Sequence, residues 1–190
     1  TGRGFDHHPG NQGIAPRDGK EDMSQLDALS TFVTQSMPAR TFKGAGFSSY
    51  MDELSFIPAQ RDLGLEQYRL AVIRYNAVLA WDRFPYRLYD PRNLAALLLV
   101  WLMESDRELF EEFGIDTELP DFDIDLVDEE TAVVVITLPM VEALNLVKDD
   151  NGNIPLDGAR WRLADPTIWF ASEAVVYGVD EQGAPLGSEK

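Results

Sequence analysis

The sequence predicts an α+β fold, a mixed or antiparallel β-sheet with hairpins packed against two or three helices, and three observations carry that prediction. Apolar residues recur every three or four positions around Leu26–Val33 and again around Leu94–Leu102, the period of a helix that buries one face. Apolar residues alternate with polar ones around Ile73–Trp81, Phe122–Leu126 and Ala132–Leu138, the period of a strand. Finally, the order is helix, strand, helix, helix and then several strands in succession, which is not the alternation that builds a parallel βαβ sheet.

Taken in order, Ser24 is placed to cap a helix through Leu26, Leu29, Phe32 and Val33, which should stop near Pro38. Residues 39–64 carry Gly44, Gly46, Pro58 and Gly64 among scattered aromatics and read as a long loop or irregular strands. Between Glu66 and Phe84 the odd positions Ile73, Tyr75, Ala77, Leu79 and Trp81 are all apolar, which predicts a long strand. Asp90-Pro91 supplies a cap acceptor and a first-turn proline for a helix containing Leu94, Leu97, Leu98, Trp101 and Leu102. Its other faces hold Ala95, Ala96, Leu99 and Val100, so the helix needs cover nearly all round, from its own fold or from another subunit. Ser105-Asp106 opens a shorter helix ending at Gly114.

In the second half, strands are expected over Phe122–Leu126 and Ala132–Leu138, joined by a tight acidic turn, with Pro139 interrupting before Val141–Val147 resumes. Asn151-Gly152 has the chemistry of a hairpin turn, and further strands are expected at Trp161–Leu163 and at Thr167–Val179. Residues 1–22, rich in Gly, Pro and charge, read as a flexible arm derived from a tag or vector, with Met23 as a natural start. That leaves 23–190 as a single domain, a size one hydrophobic core commonly occupies.

Composition narrows the function. With 16 Lys plus Arg against 33 Asp plus Glu, the net charge of −17 repels phosphate backbones and anionic lipid, so direct nucleic-acid binding is not expected. The chain has no cysteine, which removes disulfides, thiolate nucleophiles and Cys-ligated zinc. The longest apolar run, Leu94 to Met103, is about half of the roughly 20 residues that a bilayer-spanning helix needs.

Candidate chemistry fails on its own spacing. Asp121-x-Asp123-x-Asp125 places oxygens at alternate positions as a calcium loop does, but Leu126 and Ala132 stand where that loop needs glycine and glutamate. Asp149-x-Asn151-x-Asn153 has Ile154 at the glycine position. Both histidines, His7 and His8, lie in the arm, so a histidine base, a Ser-His-Asp triad or a His-ligated zinc has no central residue in 23–190. No GxxxxGK[ST] or GxGxxG occurs. The tryptophans Trp81, Trp101, Trp161 and Trp169 are read as core and interface residues rather than base-stacking platforms. The expectation is a protein without catalytic residues, metal or cofactor.

One region resembles a known family. The stretch DFDIDLVDEETAVVVITLPMVEALNLV, Asp121 to Val147, is similar to the signature of the tail completion protein R family of contractile-tailed phages. The matching features are the acidic alternating strand, the acidic turn, Thr131-Ala132, Ile136-Thr137-Leu138-Pro139, and Glu142 leading into another apolar strand. The resemblance spans roughly residues 65–178 and implies a tail-terminator-like fold and a non-enzymatic virion protein. It further implies a ring, sixfold in the virion, on the head-proximal tail end. Its partners there would be itself, the tail tube and sheath proteins and the head-tail connector, with assembly in the bacterial cytoplasm.

A ring requires one patch of each copy to dock on a different patch of the next. The parts the sequence offers are the over-apolar helix at Leu99 and Met103, strand edge at Pro139 and Met140, and the loop at Asn151 and Gly152. A rival reading is an acidic inhibitor or adaptor that imitates nucleic acid and occupies a basic groove on a host protein.

Overall fold

The computed structural model describes residues 24–163. The arm with His7 and His8, and the strand expected over Thr167–Val179 with Trp169, lie outside the described residues.

Two long strands form the spine. β3 (Gln67–Phe84) and β5 (Ala132–Lys148) pair antiparallel from Gln67↔Val147 to Phe84↔Ala132. The alternation that predicts β3 is the alternation it shows: Ile73, Tyr75, Ala77, Leu79 and Trp81 are buried together with Val134, Ile136, Leu138 and Met140 of β5. The shorter strands each pair with part of this spine. β1 (Phe47–Ile57) and β2 (Arg61–Gly64) lie against successive parts of β3, while β4 (Asp121–Leu126) and β7 (Ala159–Leu163) lie against opposite ends of β5. β6 (Ile154–Leu156) pairs only with β7, which completes a seven-stranded antiparallel sheet.

Helix α1 (Gln25–Ser36) is capped by Ser24, whose side chain accepts from the Asp27 N–H, and it buries Leu26, Leu29 and Val33 in the core. α2 (Pro91–Glu104) begins with the Asp90 side chain accepting from the Arg92 N–H and proline in the first turn, and it buries Leu94 and Leu98. α3 (Glu108–Glu112) ends at Gly114, at φ 60°, where the Ile115 N–H donates to Phe110 O at 2.8 Å and the Gly114 N–H to Glu111 O at 3.2 Å. That is the pairing by which a left-handed residue closes a helix end.

Two sequence expectations need correction, and two that left alternatives open are narrowed. Of the loop or irregular strands expected over 39–64, strands are present, β1 and β2, each with a register shift. β1 lies on the sheet's edge and is exposed along most of its length, so burial imposed no alternation for a sequence reading to find. Its turn partner was equally hidden: β2 and β3 are joined by Leu65 and Glu66, both at positive φ, without the Asn-Gly that normally marks such a turn.

Pro139 does not interrupt a strand, since β5 runs through it and Pro139 faces Asn76. Two residues on, and therefore oriented alike, Val141 turns its carbonyl away from β3 to accept from Gln25 Nε2 at 3.1 Å. The proline nitrogen thus faces the side where β5 has no strand between Thr137 and Leu146 among the described residues, and no ladder bond is lost.

Nor does Asn151-Gly152 join paired strands. The hairpin turn is Asp157-Gly158, at φ 50° and 74°, between Leu156 and Ala159. Lastly, of the two sources of cover expected for α2, its own fold leaves Leu99, Val100 and Met103 exposed.

Candidate functional site

The exposed face of α2 is built by helical spacing. Leu94 and Leu98 turn into the core, and Ala96, Leu99, Val100 and Met103, at offsets of three, four and seven, turn outward as one apolar stripe. Met103 is 85% exposed and Leu99 43%, and the stripe is bounded by the exposed charges Arg92 in the first turn and Glu104 in the last. Water contact with such a face costs free energy that a docked partner would recover.

The other expected contact residues fall elsewhere. Pro139 is half-buried and lines a shallow depression with Trp101, Phe110 and Gln25. Met140, beside it, is 2% exposed and belongs to the core, so it offers no surface. Asn151 is exposed, whereas Gly152 is half-buried because the chain folds closely onto β7: a Cβ there would stand 2.1 Å from Trp161 O. The Asp149 carboxylate holds this loop, accepting from the Asn151 N–H at 2.9 Å and pairing with Arg162 at 3.1 Å. The six residues therefore do not form one patch: Leu99 and Met103 share the α2 stripe, and Asn151 and Gly152 lie on the loop before β6.

Sequence reasoning missed the second exposed feature, the edge formed by β4. Phe122 packs against the core, but Ile124 and Leu126, its companions in the alternation, are 43% and 69% exposed. Asp121, Asp123 and Asp125 point to the opposite, solvent face. The acidic turn that follows is tied by one carboxylate: Asp128 Oδ1 accepts from the N–H groups of Glu130 and Thr131 and from the Thr131 hydroxyl. Those bonds, the Glu130 one foremost, hold the Asp128 carboxyl below the usual carboxylate range.

Glu142 anchors the helical layer to the sheet. It accepts from the Tyr75 hydroxyl at 3.0 Å and from the backbone N–H of Gln25 at the start of α1, where a negative charge is favoured. Burial first, and then this carboxylate, push the Tyr75 hydroxyl well above the ordinary phenol range. A phenol that stays protonated beside a carboxylate is a fixed donor; it anchors structure and performs no proton transfer near neutral pH. On the sheet's other flank, Arg69 ties α3 down, bonding Glu112 at 2.9 Å and Ala59 O at 2.9 Å with Phe113 beneath its guanidinium.

No helix among the described residues is long and apolar enough to cross a membrane. Among the same residues no group of three or more His, Cys, Asp or Glu is placed to hold a metal ion. The exposed apolar side chains of the described residues include the α2 stripe and, on β4 behind its acidic face, Ile124 and Leu126.

Comparison with known proteins gives the same direction. The family model described as P2 phage tail completion protein R matches residues 23–166. A 19.2 kDa protein encoded in the rep-hol intergenic region of Haemophilus phage HP1 is 27% identical over 161 residues, which cover 84% of this chain and 93% of that protein. No solved structure matches.

Proposed function

The chain belongs to the P2 phage tail completion protein R family, whose members are structural proteins of the phage tail rather than a class of enzyme, and from that premise we propose that it ends tail growth by capping the head-proximal end. Copies of the chain form a closed ring, six in the virion to match the tube, assembled in the bacterial cytoplasm and retained in the finished tail. One face of the ring is complementary to the last layer of tube or sheath. The opposite face cannot accept another layer and meets the connector proteins of the head.

The observation that carries this reading is the α2 stripe. A single subunit leaves Leu99, Val100 and Met103 in water, and a face of that kind in a helix that also contributes Leu94 and Leu98 to the core is the signature of a subunit completed by its neighbours. Tail-free capsids and growing tail tubes distinguish the proposal from its rival. Binding to tube ends, and to capsids only through connector proteins, is expected; equal binding to a basic host protein that disappears in moderate salt would support the nucleic-acid imitator instead.

A further inference from the structure

Four strands carry no outer partner among the described residues, β1 and β2 on the β3 side and β4 and β6 on the β5 side, and of these β1 and β4 stand level with each other. Following the registers across, Ile124, Val134, Trp81 and Phe47 share one row, and Asp123, Val135, Ala80 and Ser48 the next. Each neighbouring pair of strands is antiparallel, so β1 and β4 run in opposite directions. A copy rotated about an axis along the strands keeps its own directions. Its β1 therefore reaches the neighbour's β4 antiparallel and at the same height, which is the arrangement a continued ladder needs.

Charge points the same way. Past Leu126 the β4 edge ends in the exposed acids Asp128, Glu129 and Glu130. At that same end of the sheet, on the opposite edge, the turn leading into β1 carries Arg40 and Lys43, both exposed and without an ion pair among the described residues. Among the other described cations, Arg69 pairs with Glu112, Arg74 with Glu118, Arg92 with Asp90, Lys148 with Glu66 and Arg162 with Asp149, and Arg87 donates to Glu129 O at the acidic turn of its own copy.

We infer that β4 of one copy adds antiparallel to β1 of the next, with the acids at the end of β4 meeting Arg40 and Lys43, so that the sheets join edge to edge around the ring. This deepens the capping proposal and rests on its ring. The joint is limited in length: β1 keeps a regular register from Phe47 to Asp52, after which it shifts and Glu53 takes φ 51°, a bulge that stops pairing from running on. β4 offers Asp121–Leu126 for that stretch. Ile124 and Leu126, exposed in the single subunit, would lie beside the Phe47 side of the next copy. Because the two edges differ, the contact is heterologous, the type that generates a ring when the rotation closes.

The chain has no cysteine, so introduced thiols are unique. In the full-length double variant Asp123→Cys/Ser48→Cys the two thiols sit on edges separated by β5 and β3, about 14 Å apart at the usual strand spacing, too far to bond within one copy. Between copies they face each other; Asp123→Cys/Tyr50→Cys tests a register moved by two. Mild oxidation at assembling concentration is expected to give a ladder of reducible oligomers that ends at one closed size, while Asp123→Cys/Leu99→Cys does not. In unsubstituted cores, Arg40→Glu/Lys43→Glu is expected to abolish closed particles in electron micrographs without lowering the Tm.

Closed particles that never cross-link through either pair would overturn the seam and leave the ring standing. No closed particle at any concentration, or on any tail end, would remove the ring itself. Slow amide exchange along both edges already in dilute monomer would also overturn the seam, since it would mean that the chain's own remaining residues cover them.

Discussion

Tyr75 donates to Glu142 at 3.0 Å across the β3–β5 pair, and the same carboxylate receives the first free N–H of α1 from Gln25. One side chain on the spine of the sheet thus fixes where the helical layer starts. Truncation by Glu142→Ala takes the acceptor from a helix-terminal N–H and leaves the Tyr75 hydroxyl only the Met140 sulfur at 3.4 Å, a weak acceptor, at an expected cost of about 2 kcal/mol in urea unfolding, against about 1 kcal/mol for Tyr75→Phe, which removes a donor but leaves no buried hydroxyl unpaired. Equal stability of all three proteins would refute the anchoring role.

Two glycines should separate by mechanism. At Gly152 an added Cβ meets the Trp161 backbone at 2.1 Å, and the obstacle cannot rotate away. Gly158, at φ 74°, has nothing within 4 Å, so alanine there meets only backbone strain, about 1–2 kcal/mol. Thermal denaturation should rank Gly152→Ala below Gly158→Ala, and hydrogen exchange should show β7 loosening from β5 only in the former.

Asp128 predicts a pH effect with a definite sign. Its folded-state carboxyl titrates below the unfolded one, so its contribution is present above about pH 4, the unfolded carboxylate value, and fades as pH falls through the folded value. The Tm gap between wild type and Asp128→Ala should be full at pH 6 and close in strong acid. A gap that widened on acidification would contradict the hydrogen bonds assigned to the turn.

For the α2 stripe, stability and assembly should part company. Met103→Glu places a charge on a side chain already in water and should stay within about 0.5 kcal/mol of wild type in unfolding free energy, while Leu99→Glu, at a position 43% exposed, should cost no more than about 1 kcal/mol. Capping should fail, scored as tails of uncontrolled length when the variants replace wild type during tail assembly.

Much of this architecture was legible because burial writes itself into sequence. β3 and the first half of β5 have one face in the core, and that constraint produced the alternation of Ile73–Trp81 and Ala132–Leu138. The caps Ser24 and Asp90 were legible because a helix end needs an acceptor whatever the fold around it. β1 was hidden for the opposite reason, as an edge strand with both faces largely in water has no pattern to display. Pro139 misled because its cost depends on which way its nitrogen points, and that is a property of the sheet, not of the residue. The apolar excess of α2 was legible as more apolar surface than one subunit buries, and Leu99 and Met103 are among the side chains it leaves exposed. Met140 was misplaced because alternation along β5 continues inward past the proline. The β4 edge escaped notice, because alternating residues imply a buried face only when something lies over it.

The most direct test of the account is the length of tails assembled with and without this protein, viewed by electron microscopy with the chain labelled. The account predicts tubes of one length, each carrying a ring of label at one end, and tubes of scattered, greater length when the chain is withheld. Label distributed along the tube wall, or an unchanged length distribution in its absence, would contradict it.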